Sequence, residues 1–139
     1  MNELETALAA LEMGIQTEID GHDFYMQFAE RTQDSRAKAM FERLAQDEVM
    51  HLELLRNNKA ILEQSGQWAE HTPLEAGEPE GAPIFSRERV ADNIVAYTSD
   101  LSALRLAYLI EKDAVDFYRR AAERTQDPSG QRMFRDLSR

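Results

Sequence analysis

Glu48-Val-Met-His51 sets a carboxylate and an imidazole three residues apart. On a helix that spacing puts both on one face, as a pair able to hold a metal ion. Two more glutamates stand out. Glu18 in "TEIDGHDFY" and Glu111 in "IEKDAVDFY" each precede a Phe-Tyr pair by the same distance. Most helical acids lie on a solvated face. Glu18, Glu48 and Glu111 do not fit that pattern, because their neighbours three and four residues away are mostly apolar. A buried carboxylate without a partner is costly, so something must compensate it.

The stripes that carry these residues read as bundle helices. The first runs through Leu4, Leu8, Leu11, Ile15, Glu18, His22, Tyr25 and Ala29. The second takes Ala37, Phe41, Leu44, Glu48, His51, Leu55, Asn58 and Leu62, and the third Leu101, Leu104, Tyr108, Glu111, Val115, Tyr118 and Ala122. A turn near Gln33 and Asp34 lies about equally far from Glu18 and from Glu48 with His51, so an antiparallel pair brings all three to one level. Glu111 stands at the matching depth before a second turn. Three carboxylates and an imidazole thus converge on the middle of a bundle. Their mutual repulsion requires protons or cations. Oxygen and nitrogen ligands without sulfur suit iron, manganese or zinc.

The chain is written as two related hairpins. "AERTQD" occurs in both, and aligning residues 24–46 with 117–139 gives 11 identities in 23 positions. The same offset carries Glu18 onto Glu111 and Phe41 onto Phe134. Asn2 with Glu5 resembles a capping box, and the first helix is expected to reach about Thr32. Asp34 caps a second helix expected to end near Ser65, before Gly66. A third helix is expected from Ser99 or Asp100 to about Gln126, and Asp127-Pro128 starts a fourth. The organisation expected is one domain: a helical hairpin over 1–65, a crossover over 66–98 and a second hairpin over 99–139. The crossover holds Pro73, Pro79, Pro83, Gly77 and Gly81 in its first half, a loop composition. Its second half, from Ser86 to about Tyr97, is expected to form a short helix. Its length suits passage from one end of the bundle to the other.

Composition narrows the function. The absence of cysteine excludes disulfides, thiolate metal sites and a thiol nucleophile. A net charge of −10 speaks against a nucleic-acid partner. No apolar run is long enough for a membrane span. The start "MNELETALAALEMG" lacks the pattern of a signal peptide. A cytoplasmic protein is the expectation.

With these residues in view, the chain resembles the ferritin-like superfamily, specifically its rubrerythrin-type domains. The resemblance rests on "TEIDGHDFY", "IEKDAVDFY" and "DEVMH" and covers nearly all of the chain outside the crossover. It implies an all-α, ferritin-like four-helix bundle. It also implies a ligand pattern of one Glu from each of two helices and a Glu-x-x-His from each of the other two. Carried over, Glu18 is terminal on one metal, His51 binds the same metal, Glu48 bridges, and Glu111 is terminal on a second. The second Glu-x-x-His would fall beyond Arg139. The fourth helix is therefore expected to be incomplete. Three accounts stand: a shortened sequence, a lost motif, or ligands supplied by a partner subunit. The first is preferred, because the fourth helix has a good cap and starts a core stripe with Phe134 and Leu137.

His22 reads as a packed or ligand-supporting residue, and His71 as an ordinary loop residue. Asp47 reads as solvated or as a support for a ligand histidine. Tyr108 reads as a neighbour of Glu111 or as core, and Tyr25, Tyr118, Trp68 and the methionines as core. Ala114 stands where some rubrerythrins carry an additional glutamate. With no rubredoxin-type cysteines either, a peroxidase assignment is weakened. The expected function is a di-iron carboxylate protein for iron oxidation or oxygen or peroxide reduction, in a homo-oligomer. The alternatives are an assembly module with a vestigial half-site, and metal storage without turnover.

Overall fold

The computed structural model describes residues 2–70 and 101–139. They form four α-helices and, among the described residues, no strand. They are α1 (Glu3–Arg31), α2 (Ser35–Ser65), α3 (Leu101–Arg124) and α4 (Pro128–Leu137). This is the all-α bundle expected. The short helix proposed over 86–97, the start of the third helix and His71 lie outside the described residues.

The helix ends follow local chemistry. The Asn2 side chain accepts the Glu5 N–H at 2.8 Å. Asp34 accepts from Arg36 and Ala37 at 2.9 and 3.0 Å. Asp127 accepts from Ser129 at 2.8 Å, with Pro128 in the first turn. Each satisfies backbone donors that the helix itself leaves unpaired. Gly66 ends α2 with a φ of 72°, where a side chain would be strained. The third helix stops at Arg124, short of the expected Gln126. The Thr125 carbonyl is taken by Gln131 Nε2 at 2.8 Å. Asp127 adopts the extended backbone that a following proline imposes.

Two apolar clusters hold the helices together. One gathers Leu11 and Ile15 of α1, Leu55 and Leu62 of α2, Tyr118 and Ala122 of α3, and Met133, Phe134 and Leu137 of α4. The other joins Tyr25 and Ala29, Phe41 and Leu44, and Leu104 and Ala107. The start of α1 therefore packs on the end of α3, and its end packs on the start of α3, so these helices are antiparallel. The end of α2 lies in the first cluster and the start of α3 in the second; the crossover expected over 66–98 lies largely outside the described residues. Among the described residues no helix is long and apolar enough to cross a membrane.

The stripe expected in α3 is partly corrected. Ala103 and Ala107 are buried, whereas Tyr108 is 43 % exposed. Described residues flank this half of α3 chiefly from α1 and α2. The buried face turns towards them, with Ala103 and Ala107 joining Tyr25, Ala29, Phe41 and Leu44 in the second cluster.

Candidate metal centre

The four residues read from the sequence lie between the two apolar clusters. Glu18 and Glu48 are buried, and His51 and Glu111 are half-buried. Ligand atoms of Glu18, Glu48 and His51 all fall within 4.8 Å of one another. His51 Nδ1 is 3.4 Å from Glu18 Oε1. Glu111 stands outside that closest group but near enough to Glu48 for each to shift the other's ionisation, and Tyr25 holds its Oε1.

Two tyrosines expected to be plain core support the site. Tyr118 of α3 donates its hydroxyl hydrogen to Glu18 Oε1 of α1 at 2.6 Å. Tyr25 of α1 donates to Glu111 Oε1 of α3 at 2.6 Å. Both rings are buried. The signal was present in the sequence: each tyrosine follows its own helix's glutamate by two turns, on the same stripe.

A second feature was missed. A Cβ at Gly21 would come within 2.7 Å of Glu48 Oε2. Glycine in mid-helix lowers helix stability by about 1 kcal/mol relative to alanine. Here its bare backbone makes room for the carboxylate.

The electrostatics are those of charges crowded out of water. Burial, then the neighbouring Glu18, then Glu111 push Glu48 up to about 12. Burial raises Glu111 as well, helped by the Glu18 charge and opposed by the Tyr25 hydrogen bond. Burial also acts upward on Glu18, but hydrogen bonds with His51 and Glu48 and the His51 charge outweigh it and hold Glu18 below the usual glutamate value. Burial acts downward on His51, yet the adjacent Glu18, with Glu111 and Asp47 behind it, raises it. Both phenols are driven well above their ordinary value by burial and by the carboxylates. They remain protonated donors.

Among the described residues one buried side-chain oxygen has no partner. Glu18 Oε2 is buried and accepts no hydrogen bond. While Glu48 is ionised, two carboxylates face each other with no proton between them. A proton on Glu48 offers Glu18 a donor, which is why the two carboxyls shift in opposite directions. A bound cation would satisfy the same lone pair and the same charge. The donor set fits a hard or borderline divalent metal.

The other candidates lie apart. His22 is half-buried, with Nδ1 3.4 Å from Asp23 Oδ1. Asp47 acts on His51 through its charge. Tyr108 is on the surface of α3.

A family model described as Rubrerythrin matches residues 9–139. No curated protein and no solved structure matches the chain.

Proposed function

The chain belongs to the rubrerythrin family, and on that premise we propose that it binds iron at Glu18, Glu48, His51 and Glu111 and serves iron oxidation with oxygen or peroxide as oxidant. The observation that carries this reading is the buried Glu18–Glu48–His51 group with its unpartnered Glu18 oxygen. Glu18, Glu48 and His51 would hold one ion. Glu111, together with Glu48, would hold another, as the family pattern implies. Ferrous iron bound there would supply the electrons that reduce the oxidant.

The protein's own residues have definable tasks. Tyr118 and Tyr25 each hold one oxygen of a carboxylate and leave the other oxygen for a ligand. Glu48 gives up its proton when a cation arrives, so loading should acidify the solution. The apolar clusters on either side limit water at the carboxylates. His51, with a side-chain exposure of 27 %, marks the more open side of the site.

Anaerobic loading with ferrous iron, followed by metal analysis, tests this reading. The full chain should retain iron, and the double variant Glu48→Ala, His51→Ala should not. Iron-dependent oxygen consumption by the loaded protein would favour turnover over storage. Equal iron in the two proteins would refute the site and leave a helical assembly module.

A further inference from the structure

A groove of about 560 Å3, lined by none of the candidate metal ligands, lies between the beginning of α1 and the end of α3. Small-molecule sites commonly have volumes of about 300–1,000 Å3. Its apolar lining comes from Ala7, Ala10 and Met13 of α1, Phe117 and Ala121 of α3, and Trp68. The Trp68 wall is set by packing. Its ring meets Phe134 edge-on at 5.7 Å, and a Cβ at Gly130 would come within 2.7 Å of it.

Arg120 and Arg124 also line the groove, one turn apart on the same face of α3. Both are exposed, and among the described residues neither makes an ion pair or a side-chain hydrogen bond. Glu3, on the α1 side, is the one acid among the described residues of the lining. It stands in the first turn of α1, where a carboxylate complements the helix dipole. The dipole likewise accounts for a cation at Arg124, in the last turn of α3. It does not call for Arg120. The internal repeat sharpens the point: Phe117 and Arg124 correspond to Phe24 and Arg31 in the first hairpin, but Arg120 corresponds to Gln27.

We propose that this groove binds a single-chain amphiphile with an anionic head, such as a medium-chain carboxylate. The tail lies along the alanine, methionine and tryptophan lining. Arg120 and Arg124 take the carboxylate through charge-assisted hydrogen bonds. Among the described residues the groove mouth carries two guanidiniums to one carboxylate, in a chain of net charge −10, and that local excess is what selects an anion. The site is independent of the metal reading.

Trp68 is the sole tryptophan, so its fluorescence reports directly on the groove. The full chain should be titrated with dodecanoate below its micelle concentration, and in parallel with dodecanol and dodecyltrimethylammonium. A saturable change with dodecanoate is expected, with the neutral and cationic probes binding at least about tenfold more weakly. The double variant Arg120→Gln, Arg124→Gln alters only exposed side chains and should keep its helicity by circular dichroism. It should bind dodecanoate at least about tenfold more weakly. Ala10→Phe should fill the groove and abolish the response. No response to dodecanoate, an equal response to all three probes, or full binding by the arginine variant would each overturn the proposal.

Discussion

The two tyrosine–glutamate hydrogen bonds are one interaction made twice. The repeat that carries Glu18 onto Glu111 also carries Tyr25 onto Tyr118, and each tyrosine reaches the glutamate of the other hairpin. Each hairpin therefore receives its tyrosine hydroxyl from the other. The hydroxyl fixes one oxygen and keeps its proton, since burial and the nearby carboxylates oppose ionisation. Tyr118→Phe preserves the ring that stacks near Phe134 but removes the donor. It should leave Glu18 Oε1 with only its contact to His51 and lower iron affinity about ten- to a hundredfold. Competition with a chromogenic chelator reads this directly. Wild-type affinity would mean that the hydroxyl does not orient Glu18.

At the scale of the element, α1 trades helix stability for space. Gly21 has the lower helix propensity, yet its place against Glu48 leaves no room for a methyl group. Gly21→Ala should raise intrinsic helix stability by about 1 kcal/mol and at the same time displace the Glu48 carboxylate. The expected outcome is a metal-free protein that melts no lower than wild type and binds less iron. Retention of full iron content would show that Glu48 has freedom to move aside. In α3 the same logic runs the other way. Ala103 and Ala107 allow close packing, so the larger Tyr108 turns outward although its spacing places it in the stripe.

For the whole molecule, the buried acids make stability depend on pH with a sign that metal should reverse. In the metal-free protein Glu48 is raised from 4.5 to about 12, and His51 is raised from 6.5. Both bind protons more tightly when folded. Their contribution is full below the unfolded values and is lost as pH rises, at up to about 1.4 kcal/mol per pH unit for each proton. Glu18 shifts the opposite way, but its contribution is lost only as pH falls below the usual glutamate range. Between pH 6 and 8 the metal-free protein should therefore melt lower as pH rises. Metal binding needs ionised carboxylates and a neutral imidazole, so the iron-loaded protein should melt higher over the same interval. Thermal melts of both forms across this range test the pair of slopes. Slopes of the same sign would argue against a site built from Glu48 and His51.

Much of this was legible in the residues themselves. Apolar spacing set the helices, because burial selects a period close to the helical turn. Caps at Asn2, Asp34 and Asp127 and the glycine at Gly66 set most of their ends, because unpaired backbone groups and a positive φ demand particular residue types. Three glutamates in apolar stripes located the charged layer, because only a compensated carboxylate is stable there. Other features depended on contacts between hairpins far apart in sequence. A tyrosine in a buried stripe reads as core until the neighbouring helix puts a carboxylate within 2.6 Å of its hydroxyl. Gly21 reads as a weak point until Glu48 is seen to occupy its missing side chain's place. The groove at Arg120 and Arg124 exists only where α1, α3 and Trp68 meet. Local periodicity specifies which face of a helix is buried, but the rotation and approach of its neighbours decide which atoms on that face meet.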